Sequence, residues 1–443
     1  MGWREAAGPT RMQRVALVAP AASLRDLLVR VADAGVVEVE PVPAPGTRFE
    51  DELESYVESA TVRGEVAALA GWMPADAVPG LAGDLQRVGS VVPLPAPRGV
   101  DPPTLLREGT AVRRSFTPLV ETYGTVPYAD VDPSLLAGLA YMLMFGMMFG
   151  DAGHGALVVV AGLLLRAGWP AKLARFRRIW PFVVGSGLVA VVFGLLYGEF
   201  FGPTGVVPVL WLAPLDSPVT LMGVALGVGA VLLAGAQAVG TVNRWREGGW
   251  PLALSSPSGI AGAALLAGLG VVLLGAEAGL VWLVVVGAAV MTGGLTLAFV
   301  GFLATSGGGG TGLTQAFVEV FDAVIRVGTN LVSFVRLAAF GLTHAAIGKI
   351  VWDGTSGLWR DGGLLVVAAL AVFLVGNAVA FALEALVAGV QALRLEYYEL
   401  FSRVFSGEGR QFRPWRAEGD REPVGTAASL RTPPPASLPR RQS

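Results

Sequence analysis

Arg336 carries a charge that no physiological pH removes, and it stands in the apolar segment Ser333-Phe334-Val335-Arg336-Leu337-Ala338-Ala339-Phe340. A continuous helix from about Gly312 to Trp352 fits the pattern and leaves Arg336 roughly 24 Å from its nearer end. The side chain cannot snorkel that far to water. Arginine at a bilayer centre costs at least roughly 3 kcal/mol, so a compensating group is required. Steps of three and four residues give Gln315, Glu319, Asp322, Arg326, Asn330, Ser333, Arg336, Phe340 and His344 along one helical face. The other faces are Val, Leu, Ala and Phe. Such a helix is about 60 Å long, twice the hydrocarbon thickness, so it must tilt or extend beyond the membrane.

The next apolar stretch, Leu364 to Leu393, repeats the theme. Asn377, Glu384 and Gln391 recur at seven-residue intervals, and Arg394 follows three residues later. Glu384 and Arg394 are about 15 Å apart along a helix, too far to pair with each other. Ionisable groups inside a membrane pair, line a water-filled cavity or relay ions. Neutral Asn and Ser are more simply read as bonds between helices, whereas an arginine in mid-membrane points to function. Asp322 and Arg326 have the spacing of a solvated ion pair. Earlier, Phe145-Gly146-Met147-Met148-Phe149-Gly150-Asp151-Ala152-Gly153-His154-Gly155 reads as a tight turn between two spans, with Asp151 able to cap the second helix. A further span ends in Leu195-Leu196-Tyr197-Gly198-Glu199-Phe200-Phe201-Gly202, which puts Glu199 at the outer interface, hydrated or marking an aqueous entrance.

The elements that position these residues are apolar helices. Hydrophobic residues make up 53% of the chain and charged residues 15%, and runs of about twenty apolar residues predict a mostly α, polytopic membrane protein. Eight spans are expected, centred near residues 142, 161, 190, 230, 263, 290, 332 and 380, the last two long and tilted. Arg166, Lys172, Arg175, Arg177 and Arg178, then Arg244 and Arg246, then Arg403, Arg410, Arg413 and Arg416 fall on one side of that arrangement. The loop from Gly202 to Ser217 has no Lys or Arg. The positive-inside rule therefore puts both termini in the cytoplasm. Residues 135–405 form the expected transmembrane domain.

Residues 1–98 read as a small cytoplasmic α+β domain. Val15 to Val18 is strand-like, Ser23 to Ala34 is an amphipathic helix that Ser23 could cap, Gly35 stops it, and Val36 to Val39 returns as a strand. Glu65 to Gly71, Ala75 to Val88, Gly89 and Val91-Val92 repeat that order, and Pro41 to Pro45 matches Pro93 to Pro97. Two βαβ halves predict a ferredoxin-like unit. Phe49 to Arg63 is a short charged helix between them. Residues 99–134 form a Pro-rich linker, and 406–443 a cytoplasmic tail, disordered beyond about Glu418.

The chain has no cysteine, which excludes disulfides and thiolate chemistry, and its two histidines argue against a histidine-based metal centre. It lacks a Gly-x-x-x-x-Gly-Lys-Ser/Thr loop, because Gly348-Lys349 continues with Ile350 and Gly307 to Gly310 lack the lysine. No nucleotide site, cofactor, metal or nucleic-acid partner is expected.

The stretches FGMMFGDAGHG, LLYGEFFG, TNLVSFVRLAAFGLTHAAIG and FALEALVAGVQALRLEYYELFSRVF resemble the membrane stator subunit of V-type and A-type rotary ATPases, subunit a, or I in prokaryotes. PPTLLREGTAVRRSFTPLVETYG and GWMPADAVPGLAGDLQRVG resemble its cytoplasmic half. The resemblance covers about residues 100–415. It implies a non-catalytic subunit in a prokaryotic plasma membrane that forms two ion half-channels against a proteolipid c-ring. H+ or Na+ translocation would thereby be coupled to ATP hydrolysis or synthesis. It implies that Arg336 faces the ring, that Arg394 is a second arginine there, and that Glu384 and His344 belong to the half-channels. Ser333 would line the pathway, and Gln391 stands where some relatives have a histidine. Asn330, Asn377 and Glu199 complete the expected ion pathway, and Asp151 and His154 form a structural motif. Peripheral-stalk and central-stalk (d-type) subunits and the lipid bilayer are the other implied partners. The family inserts a long helical hairpin between its two α/β lobes, where this chain has only Phe49 to Arg63. A stand-alone secondary transporter or channel, and a non-pumping scaffold homologue, are the competing readings.

Overall fold

The computed structural model describes residues 8–40, 48–97, 99–107, 109–256, 259–305, 309–405 and 407–417. The Pro41 to Pro45 half of the sequence repeat and the tail from Glu418 on lie outside the described residues. The chain divides into two compact units, one built from Thr10–Pro103 and the C-terminal segment from Gln411, the other from Thr104–Arg410.

In the first unit, β1 (Met12–Pro20) buries Val15, Leu17 and Ala19 on one face, and Met12 is buried on the other. Helix α1 (Leu24–Ala34) buries Leu24, Leu27, Leu28, Val31 and Ala32, the spacing of an amphipathic helix. Gly35 then stops it at φ 59. Ser23 makes no side-chain cap, because Ala21–Ser23 already form a 3-10 turn. After β2 (Glu38–Val39) come α2 (Phe49–Ser59), β3 (Thr61–Arg63), β4 (Val66–Pro74), α3 (Val78–Leu85) and β5 (Ser90–Leu94). The sheet order is β2-β4-β1-β5, with β3 also on β4 and every pair antiparallel.

The tail contributes to this core. The Trp415 ring stacks on Phe49 at 5.2 Å and meets Tyr56 edge-on at 4.9 Å. Its Nε1 donates to Glu52 Oε2 at 2.8 Å, and its backbone N–H donates to the Val37 carbonyl at 2.8 Å. The Arg413 N–H donates to Glu38 Oε2 at 2.6 Å. Gln411 to Ala417 thus belongs with the N-terminal sheet, a boundary that the Pro- and Arg-rich composition of the tail conceals.

The second unit is helical. Helix α4 (Ala111–Tyr123) lies within the stretch read as linker, with Thr110 accepting the Arg113 N–H and with Phe116 and Val120 buried. Then follow α5 (Ser134–Met148), α6 (Ala152–Ala167), α7 (Trp180–Tyr197), α8 (Pro218–Ser255), α9 (Ile260–Glu277), α10 (Val281–Thr305), α11 (Gly309–Ser333), α12 (Val335–Asp361) and α13 (Leu365–Leu395). A π turn, Glu396–Phe401, extends α13. Among the described residues six segments are long and apolar enough to cross a membrane: Ala171–Tyr197, Pro218–Leu254, Ile260–Glu277, Val281–Ala304, Gly310–Asp361 and Leu365–Val404. The chain is therefore a multi-pass membrane protein. Helices α5 and α6, at 15 and 16 residues, are apolar but shorter, so six such segments stand where eight spans were expected.

The expected unbroken helix around Arg336 is instead two helices meeting at Phe334. The ladder tightens there to three-residue bonds, from Phe334 N–H to Leu331 C=O (3.1 Å) and from Leu337 N–H to Phe334 C=O (2.9 Å). Two features produce the break. The Ser333 hydroxyl donates back to the Thr329 carbonyl at 3.0 Å, a bond that bends helices. Phe334, fully buried, seats its ring on the bare backbone of Gly229 in α8, where an added Cβ would lie 2.3 Å from the ring. Arg336 therefore sits in the first turn of α12 rather than mid-helix.

Candidate functional site

The site is assembled at Asp151. This fully buried carboxylate caps α6 by accepting the His154 N–H on Oδ1 at 2.8 Å. The same oxygen accepts the Phe201 N–H at 3.0 Å, and Oδ2 accepts the Gly202 N–H at 2.8 Å. Each of these buried donors would otherwise lack a partner, so one side chain fixes both the α5–α6 turn and the turn after α7. Gly202 adopts φ 91, and a Cβ there would lie 2.8 Å from the Gly348 carbonyl on α12. Only glycine allows this approach, which presses the Glu199–Gly202 turn against α12 one helical turn beyond His344. The Glu199 carbonyl also accepts the Ala152 N–H at 2.9 Å, so Glu199 is held from both sides.

His344 lies at the centre. Its Nδ1 pairs with Glu384 Oε2, and its Nε2 stands 3.7 Å from Glu199 Oε2. His154 joins from α6, with its ring 5.8 Å from that of His344 and its Nδ1 3.9 Å from Asp151 Oδ1. Phe149, Phe201 and Phe381 surround the His154 ring at 5.2–5.9 Å. Asp151, His154, Glu199, His344, Asn377 and Glu384 are all buried, each no more than 8% exposed. Three carboxylates and two imidazoles thus share one low-dielectric region, where an uncompensated charge is expensive. Protons or cations must balance them. A cavity of about 390 Å³ reaches the cluster, lined by His154, Leu157, Phe201, Phe373, Leu374, Asn377, Ala378 and Phe381. Asn377 spends one amide hydrogen on the Phe373 carbonyl at 2.9 Å.

Helices α12 and α13 are joined by three residues and therefore run antiparallel, and their register carries the arrangement to the arginines. His344 meets Glu384, the Trp352 ring lies 6.5 Å from Phe373, and Gly376 backs onto Val351. The same register sets Arg336 level with Ala392, so Arg394 lies within about 3 Å of its depth. Both arginines are then roughly 12 to 15 Å along the helices from the His344–Glu384 pair. Arg336 is half-buried and Arg394 exposed. Among the described residues neither guanidinium forms an ion pair within 4.0 Å.

The remaining expected residues divide between these places. Ser333 spends its hydroxyl on the helix break, and half-buried Gln391 leaves its Oε1 without a hydrogen bond. Asn330 stands apart from His344. Oriented to suit its neighbours, its amide donates to Glu399 Oε2 at 2.9 Å and accepts from Arg403 at 2.8 Å. Arg403 donates in turn to Gln237 Oε1 at 3.2 Å. Nothing in the sequence marks Glu399, Arg403 and Gln237 as a group except the i,i+4 spacing of Glu399 and Arg403. His154 and His344 are far apart in the chain, and no sequence spacing joins them.

Comparison with known proteins gives these features a context. The profile of the V-type ATPase 116kDa subunit family matches residues 57–204, which include Asp151, His154 and Glu199. The chain is 28% identical over 385 residues to "A-type ATP synthase subunit I" of Aeropyrum pernix, covering 74% of this chain and 52% of that protein. To the protein of the same name from Pyrococcus horikoshii it is 25% identical over 411 residues, covering 86% and 61%. "V-type ATP synthase subunit I 2" of Treponema pallidum is 34% identical over 165 residues, 35% of each chain. The chain spans a little over half the length of the two A-type relatives.

Proposed function

We propose that this chain, a member of the V-type ATPase 116kDa subunit family, is the membrane stator of a rotary ATPase, forming two ion half-channels against a ring of proteolipid subunits. The observation that carries this reading is the pairing of two features on α12 and α13. One is a buried carboxylate–imidazole cluster reached by a cavity, the other a pair of arginines at one depth with no ion-pair partner among the described residues.

A ring carboxylate that crosses lipid must be neutral, with a proton or sodium ion bound. Opposite the Arg336 guanidinium the ionised form is favoured, and the ion leaves. Arg336 supplies the fixed positive charge, and the ring supplies the counter-charge as it passes. The same charge bars cations from leaking directly between the half-channels. Glu199, His344 and Glu384, with Asn377 and His154 at the cavity, form the outer half-channel, in which His344 hands protons between two carboxylates. Asn330, Glu399, Arg403 and Gln237 lie toward the cytoplasmic end. Coupling to ATP hydrolysis or synthesis, with stalk subunits holding the chain against rotor torque, belongs to the whole complex. The order β2-β4-β1-β5 supports a ferredoxin-like N-terminal unit. The two short helices α5 and α6 complete eight spans, both termini lie in the cytoplasm, and the membrane is the prokaryotic plasma membrane.

The natural chain has no cysteine, so a single introduced thiol is a clean probe. Ala339→Cys, exposed on α12 three residues from Arg336, should cross-link to a cysteine beside the ion-binding carboxylate of the ring. Copurification without a ring, or a cross-link confined to other faces of the chain, overturns this reading.

A further inference from the structure

The nitrogens of His154 pose a problem that ion relay does not solve. The ring is 2% exposed, yet neither Nδ1 nor Nε2 makes a close hydrogen bond, its polar neighbours being the Asn377 side chain and Asp151 Oδ1 at 3.9 Å from Nδ1. Leaving buried polar atoms unpaired costs about 1–3 kcal/mol each, so the place calls for an occupant. One nitrogen of His154, one of His344 and one oxygen of Asp151 lie within 4.8 Å of one another. Asp151 Oδ2 accepts only the Gly202 N–H, which leaves it a lone pair. Glu199 Oε2 has no hydrogen-bond partner and stands 3.7 Å from His344 Nε2.

We propose that Asp151, His154 and His344 bind a divalent ion of the zinc class, with Glu199 or a water as the fourth ligand. Two imidazoles and a carboxylate form a donor set suited to Zn2+, in which a fourth position remains for solvent or another side chain. Tetrahedral bonds of about 2.1 Å put ligands roughly 3.4 Å apart, so the three groups close inward by about an ångström. No close hydrogen bond holds the His154 ring against that movement. His344 presents Nε2 to the ion while its Nδ1 faces the Glu384 carboxylate, and a carboxylate behind a ligating histidine fixes the ring and strengthens the donor. The ion also offsets the negative charge of the surrounding carboxylates. The cavity lined by His154 gives it a way in.

The consequence for transport rests on the proposed ion route: an ion held on His344 Nε2 occupies the nitrogen that faces Glu199 and blocks proton passage. Binding does not rest on that route. The test is titration of the purified full-length chain with Zn2+ in metal-free buffer, together with the zinc X-ray absorption edge of the wild-type sample. One Zn2+ per chain is expected, with scattering from two imidazoles and a roughly tenfold or greater loss of affinity in His154→Gln. A wild-type spectrum without imidazole scattering overturns the proposal and needs no variant. So does an affinity unchanged in both His154→Gln and His344→Gln. Ion pumping by the intact complex in excess chelator tests the route separately. Normal pumping with no zinc site rejects the metal proposal alone, and undiminished pumping with the site filled rejects the route alone.

Discussion

Replacing Trp415 with alanine withdraws the tail's anchor from the N-terminal unit. The indole is 6% exposed, between the Phe49 and Tyr56 rings. Burying a side chain of this size removes about 150–250 Å² from water, which at about 25 cal/mol per Å² amounts to about 4–6 kcal/mol. Large-to-small aromatic changes in cores cost about 3–5 kcal/mol, so the lower end is the better guide. The Nε1–Glu52 bond at 2.8 Å involves a carboxylate and adds about 1.5–3 kcal/mol. Relaxation around the gap offsets part of this, leaving an expected loss of about 4 kcal/mol. Phe49, Glu52 and Tyr56 all belong to α2, so the loss should concentrate there. Native-state hydrogen exchange of the α2 amides reads it directly: protection should fall by that amount in Trp415→Ala, while amides of α9 and α10 stay unchanged. A loss in α2 below about 1 kcal/mol would refute the view that the tail completes this core.

Three further outcomes follow from named contacts. Gly202→Ala must adopt φ 91 and bring a Cβ to 2.8 Å from the Gly348 carbonyl, so thermal unfolding should show a loss of about 2–4 kcal/mol, against only about 1 kcal/mol for Gly205→Ala, which shares the positive φ (75) but meets nothing within 4 Å. Burial and the neighbouring Glu247 carboxyl push Asp130 up to about 7. The folded state then keeps a proton that the unfolded chain releases near pH 4, so stability should fall as pH rises from about 4 to about 7. Asp130→Asn should flatten the unfolding midpoint over that window, and an equal slope in wild type and variant would reject the assignment. Glu384→Gln removes the carboxylate on His344 Nδ1 and should reduce ion pumping by about tenfold to a hundredfold with assembly preserved, as measured in reconstituted vesicles.

How much the sequence disclosed depended on the range of the interaction. The alternation of Val15, Leu17 and Ala19 and the spacing of Leu24, Leu27, Leu28 and Val31 are local, and they mark β1 and α1 directly. Long apolar runs identify the membrane helices for the same reason. The break at Phe334 was not legible, because no Gly or Pro marks it and its cause is Gly229 on another helix. Trp415 looked like part of a polar tail, since its partners lie more than 350 residues earlier. Asp151 could be read as a helix cap, but not as the acceptor for Phe201 and Gly202, which depends on how α7 returns. The convergence of His154, Glu199, His344 and Glu384 from four segments is a product of packing, and only its members were visible beforehand.

In the proposed stator, Arg336 supplies the fixed charge against which a passing ring carboxylate releases its ion. The most direct measurement is ATP-driven ion uptake by vesicles carrying the intact complex with Arg336→Ala, the amount of assembled complex being checked in the same membranes. Full assembly is expected, with uptake at least about a hundredfold below wild type, roughly 3 kcal/mol of lost stabilisation of the ionised carboxylate. Uptake at the wild-type rate from an assembled Arg336→Ala complex would contradict it.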